Sequence, residues 1–188
     1  KLIGFDTEFA EAVCEKLGVA PEFTVIDWNT KEVELKAKNI DCIWNGFTIR
    51  EDLKESIDFS NAYCKNMQVA VIKAENSGKY TDLASLAKAN IVAEAGSSGE
   101  SAVADCEELK ECNYVGVSKM ADALLEVKAG TADAAVVDYV MAKAMVGEGT
   151  DYSDLQIVDG IELAYEEYGI GFRKGSNLVE SVNKAMDE

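Results

Sequence analysis

The chain has 188 residues, 48% of them apolar, enough for one large domain or two small lobes with a core each. With 18 basic against 35 acidic residues its formal charge is −17, which repels phosphate backbones and argues against nucleic acid or an anionic lipid surface as a partner. There is no histidine, so the commonest general base and a common zinc ligand are missing, and Ser-His-Asp and Cys-His chemistry cannot be assembled from this chain.

Taken in chain order, the first helix is predicted after Asp6, with Asp6 as cap and Phe5 and Phe9 as a staple; Phe9, Val13 and Leu17 make its apolar face. Gly18 ends it. Phe23-Thr24-Val25-Ile26 reads as a strand, Thr30 caps a helix over 31–38, and Ile40-Asp41-Cys42-Ile43-Trp44 reads as a short buried strand running into an Asn45-Gly46 turn. A short helical stretch near 50–55 precedes a strand over 68–73. Further strands are expected at 91–94, 114–117, 133–137, 155–158 and 168–173, and helices at 100–109, 119–129 (capped by Ser118, ended by Gly130), 139–146 and 177–186.

The two halves repeat one order. Leu35-Lys36-Ala37-Lys38-Asn39-Ile40-Asp41 resembles Val127-Lys128-Ala129-Gly130-Thr131-Ala132-Asp133, and the same offset carries the helix after Asp6 onto the helix after Ser98. Two matched strand–helix arrays predict two lobes, each a mostly parallel sheet flanked by helices. The second array opens with a strand that the first lacks, so a truncated opening strand is expected, with a leader removed or a fragment at hand. Cys14, Cys42, Cys64, Cys106 and Cys112 form no C-x-x-C pair; their odd number rules out complete internal pairing, and Cys14 and Cys42 read as small core residues.

In parallel sheets ligands bind beyond the carboxyl ends of strands. Those ends carry Asn45, Gly46, Phe47 and Thr48 in the first half, and Glu94, Ser97, Ser98 and Asp138 in the second. Ser97 and Ser98 offer hydroxyls and N–H groups at a helix N-terminus, Arg50 can grip a carboxylate with two hydrogen bonds, and Asp138 suits an ammonium. An anion site beside a cation site matches an α-amino acid. Taken singly, Ser97 and Ser98 are equally a helix cap, Asp138 a cap for the helix after it, Arg50 a solvated charge and Trp28 a core aromatic.

These stretches resemble the type II periplasmic binding protein fold, in the branch of polar amino-acid-binding proteins of ABC importers. The resemblance spans essentially the whole chain. It is carried by Gly4-Phe5-Asp6, by Asp41-Cys42-Ile43-Trp44-Asn45-Gly46-Phe47-Thr48, by Asp58-Phe59-Ser60-Asn61-Ala62-Tyr63, by Ala95-Gly96-Ser97-Ser98-Gly99, by Ala132-Asp133-Ala134-Ala135-Val136-Val137-Asp138 and by Glu167-Tyr168-Gly169-Ile170-Gly171-Phe172-Arg173. It implies a first lobe over 1–67 and 168–188, a second over 68–167, a cleft between them and hinge strands near 69–72 and 168–171. It further implies that Asp138, Gly46 and Thr48 hold an α-ammonium, that Ser98 and a first-lobe arginine hold the α-carboxylate, that Trp28, Asn45 and Phe47 flank the ligand side chain, and that Glu94 lies near its pocket. The family arginine falls near Leu53; here Arg50 is expected to replace it. The function implied is extracytoplasmic capture of a free amino acid by hinge closure and delivery to an ABC permease, as a monomer, with no catalysis, cofactor or metal. The alternatives on the same fold are a sensor or receptor input domain and an enzyme using Glu94 as its acid.

Overall fold

The structure, a computed structural model, describes residues 2–188; the Lys1 end of the expected opening segment lies outside them. The chain divides into two compact units.

The first unit takes in the described residues up to Ile26, then Thr30–Lys65 and Glu166–Glu188. It holds α1 (Phe5–Leu17), α2 (Lys31–Ala37), β1 (Cys42–Ile43), β2 (Ile57–Phe59), the start of β3 (Cys64–Lys73) and, from the C-terminal part of the chain, the end of β7 (Leu155–Tyr168), β8 (Gly171–Arg173) and α7 (Leu178–Asp187). The sheet order is β1-β8-β2, and both ladders are antiparallel, pairing Cys42 with Phe172 and Asp58 with Phe172 on opposite edges. The mostly parallel pairing expected here is therefore absent from this unit's described ladders. The strands are short, and β8 returns from the far end of the chain to run against both neighbours. Val13, Ile170, Phe172, Val182 and Ala185 form its core, with Phe9, Leu17, Trp44 and Tyr63 packed on them.

α1 ends as predicted, with Gly18 at φ 71° donating to Cys14 and Glu15 carbonyls. Its start differs: Gly4 occupies the cap position and Asp6 lies in the first turn, while Phe5 and Phe9 stack at 5.7 Å. The segment Phe23–Ile26 has a strand's composition but pairs with no strand among the described residues, and Val25 is 73% exposed. A strand exists only by virtue of a partner for its N–H and C=O groups, so composition alone did not make one.

The second unit comprises Asp27–Asn29 and Asn66–Tyr165. Its elements are most of β3, α3 (Leu83–Leu86), β4 (Asn90–Glu94), α4 (Ser98–Asp105), β5 (Asn113–Val117), α5 (Met120–Ala129), β6 (Ala134–Asp138), α6 (Tyr139–Met145) and most of β7. The sheet runs β5-β4-β6-β3-β7, with β4 parallel to β5 and β6, and β3 antiparallel to β6. Successive strand residues feed opposite faces. Ala70, Ile72, Ile91, Ala93, Ala134 and Val136 enter one cluster, with Leu86 of α3 and Val103 of α4. Val69, Val71, Val92, Ala135 and Val137 enter the other, with Ala123, Leu124 and Val127 of α5 and Ala142 of α6. Both faces are covered, which is why these strands read as unbroken apolar runs. Ser118 is not the cap of α5; Lys119 holds that position without a side-chain bond.

β4 and β6 begin on a polar clasp. Asp133 accepts from the Tyr80 hydroxyl at 2.6 Å, and from the Asn90 main-chain N–H and side-chain amide at 2.9 and 3.0 Å. Burial alone would raise its pKa, but these donors and Lys79 outweigh it and hold the carboxyl below the usual range. Asp133→Ala leaves three donors short of an acceptor and is expected to cost about 1–3 kcal/mol in denaturant unfolding. Because the folded pKa is depressed, that contribution is present above the ordinary carboxylate pKa and lost as pH falls through the folded value.

All five cysteines are free thiols. Cys42, packed on the first unit's core, is pushed up to about 11 by burial. Among the described residues no helix is long and apolar enough to cross a membrane.

Candidate functional site

In the first unit, β1 runs out into Trp44 and the turn Asn45-Gly46. Both turn residues take left-handed φ, 109° and 64°, a region open mainly to glycine and tolerated by asparagine. Asn45 is exposed, and the Gly46 N–H donates to the Tyr63 hydroxyl at 3.2 Å. Thr48 bridges to Tyr168, and its hydroxyl donates to Glu166 Oε2 at 2.6 Å.

One expectation for this unit needs correcting, and a second meets a competing partner. Phe47 is 2% exposed; its ring lies 5.1 Å from Phe59 and rests on Gly171, where an added Cβ would come within 2.5 Å of Phe47 Cε1. Its side chain is a core residue rather than a ligand flank, because β8 leaves a glycine-sized gap that the ring fills. Arg50 presents its two-pronged grip to Asp52 instead, through Nε at 3.0 Å and Nη2 at 2.7 Å, and that pairing lowers the Asp52 pKa. Leu53, at the position where the resemblance would place an arginine, sits in the 3-10 turn Glu51–Glu55.

In the second unit, Glu94 and Asp138 end the neighbouring parallel strands β4 and β6, so both lie on one edge of the sheet. Gly96 turns the chain at φ 73° and packs on Asn29; an added Cβ would lie 2.9 Å from Asn29 Cα, beside Trp28 in its 3-10 turn. Ser97 is buried and caps α4, its hydroxyl accepting from Glu100 N at 3.3 Å, while Glu100 Oε2 accepts from Gly96 N at 2.7 Å. Glu100 thus reaches back to the residue before the cap, and Tyr114 holds it by donating to Glu100 Oε1 at 3.0 Å. Ser98 follows as the first residue of α4, half-buried. The Ser97 side chain thus serves as the helix cap, and Ser98 places a second hydroxyl at that helix end.

Asp138 sits in the cap position of α6 but makes no side-chain cap bond. Instead Oδ1 accepts from Gln68 Nε2 at 2.5 Å, and Gln68 is fully buried. The carboxylate is therefore held from beneath by a neutral donor. Gly99 makes this approach possible: a Cβ there would meet Val136 O at 2.9 Å and Gln68 Oε1 at 3.1 Å.

Residue-by-residue reading missed the supporting groups. Gln68 was recognisable as the polar residue opening the apolar run Val69–Ile72. Asp6 was seen only as a cap. In the structure Asp6 is half-buried in the first unit with Oδ1 sealed from solvent, and burial raises its pKa.

The whole chain, residues 1–188, matches the family model of bacterial extracellular solute-binding proteins, family 3. It is 28% identical over 189 residues to the arginine-binding extracellular protein ArtP of Bacillus subtilis, covering 100% of this chain and 72% of that protein. It is 28% identical over 194 residues to the L-cystine-binding protein TcyJ of Escherichia coli K12, covering 100% of this chain and 69% of TcyJ. The structure of holo ArgBP from T. maritima superposes with a TM-score of 0.88 at 30% identity, covering 100% of this chain and 80% of that one.

Proposed function

Starting from the premise that this chain belongs to the bacterial extracellular solute-binding proteins, family 3, we propose that it captures a free polar amino acid outside the cytoplasm and hands it unchanged to the permease of an ABC importer. The observation that carries this reading is Asp138. A carboxylate that ends a buried strand and is oriented by a buried glutamine is fitted to receive an ammonium group. Ser98 and the α4 N-terminus supply the complementary end for the α-carboxylate. From the first unit, Asn45, Gly46 and Thr48 are assigned to the ligand.

Arg50 is assigned a conditional role. Its exchange from Asp52 to a ligand carboxylate costs little, since exposed ion pairs contribute about 0–1 kcal/mol. The strands β3 and β7 each pass from one unit into the other, between residues 65 and 66 and between 165 and 166, and closure on the ligand is assigned to bending there. A cationic amino acid is the first choice of ligand: ArtP and ArgBP are named for arginine, and a chain of formal charge −17 attracts cations. Glu94 and Trp28 are assigned to its side chain, and the chain acts as a monomer.

A thermal-shift screen against the twenty amino acids, cystine and ornithine tests the assignment. A ligand at about 100 times its Kd adds roughly 2.7 kcal/mol of stability. Arginine or lysine is expected to shift the midpoint most; a shift by cystine or glutamine alone would keep the class of function and overturn the choice of ligand.

A further inference from the structure

Two motifs in the chain have no task in the reading above: Gly4-Phe5-Asp6 at the head of α1, and the segment Asp58–Tyr63 that precedes β3. In the first unit their last residues meet behind the turn Asn45-Gly46. The Tyr63 hydroxyl accepts the Gly46 N–H at 3.2 Å, and the Asp6 carboxylate lies close enough to add to the rise that burial causes in the Tyr63 pKa. The Tyr63 ring is fixed by Phe9 at 5.3 Å, Phe5 at 6.3 Å and Tyr168 at 6.2 Å. Asp6 Oδ1 and Trp44 Nε1 are both sealed from solvent, and neither has a hydrogen-bond partner among the described residues.

We propose that Asp6 and Tyr63 are positioning residues that hold the Asn45-Gly46 turn in the shape that receives the ligand. The inference rests on the functional reading above. A turn with two consecutive left-handed residues, one of them not glycine, is an uncommon conformation that its surroundings must hold in place. The Gly46 N–H is tied to Tyr63 rather than to a neighbouring strand, Tyr63 is locked by three aromatic rings, and two of those rings, Phe5 and Phe9, flank Asp6 on α1. Burial raises the Asp6 and Tyr63 pKa values; Trp44 and Cys64 are the other groups facing Asp6.

Tyr63→Phe removes one oxygen and keeps the ring. Calorimetric titration with the amino acid from the screen is expected to show a Kd raised about tenfold, in line with loss of one buried hydrogen-bond partner. Asp6→Asn keeps the size of the side chain beside Tyr63 but loses its charge, and is expected to weaken binding about threefold, on the scale of a single hydrogen bond. A merely structural network would lower the melting temperature of the unliganded protein and leave Kd alone, so a Kd within about twofold of wild type in a folded Tyr63→Phe protein overturns the inference. If that variant does not fold, unchanged affinity in Asp6→Asn overturns it instead. A wild-type chain that binds no amino acid removes the functional reading and this inference together, whereas a binding wild type with unaffected variants removes only the inference.

Discussion

Asp138→Asn is expected to weaken amino-acid binding by at least about 30-fold, because truncating or neutralising one member of a desolvated charge pair costs roughly 2–5 kcal/mol. The substitution is informative because it changes little else. An asparagine carbonyl can still accept from Gln68 Nε2, so the link that orients the side chain survives while the charge is lost. Asp138 makes no side-chain cap bond to α6, so no cap bond is lost with the charge. Titration calorimetry should therefore report a large loss of affinity with the unliganded melting temperature nearly unchanged. If affinity holds, the ammonium is bound elsewhere; if the unliganded protein melts early, Asp138 is structural.

The second large effect is at Gly99. In an ordinary helix interior, alanine is about 1 kcal/mol better than glycine. Here the added methyl would lie 2.9 Å from the Val136 carbonyl and 3.1 Å from Gln68 Oε1. The first neighbour is main chain in the middle of the second unit's sheet and cannot yield. Overpacking of this kind costs about 1–3 kcal/mol, which meets or exceeds the propensity gain, so Gly99→Ala is expected to destabilise. The second neighbour is the amide that orients Asp138, so affinity should fall with stability. An alanine variant as stable as wild type with full affinity would show that α4 can shift without cost, and that Gln68 does not need its present placement.

The second unit's sheet could be read from sequence because both its faces are covered: 69–72, 91–93 and 134–137 are apolar without interruption. The first unit was harder. Its strands β1, β2 and β8 are two or three residues long, too short to show a period of two, and β2 went unseen. β7 was read only at its start, since Asp159, Glu162, Glu166 and Glu167 interrupt the rest without a period of two. The polar residues at strand ends, Asp138, Ser98 and Gly46, were accessible as candidates because chain direction alone places them there. What a side chain does once there was not. Phe47 and Arg50 share a loop with Thr48, yet one fills the gap over Gly171 and the other turns to Asp52. Asp6 and Tyr63 lie far apart in the sequence, and only the folded first unit brings them behind Gly46.

The central claim is that this chain binds an amino acid and does not transform it. Titration calorimetry with L-arginine, followed by mass analysis of the ligand recovered from the cell, tests both halves at once. The account predicts a saturable isotherm with one site per chain and arginine recovered unaltered. No saturable heat with arginine or with any other amino acid of the screen, or a recovered ligand of changed mass, would contradict it.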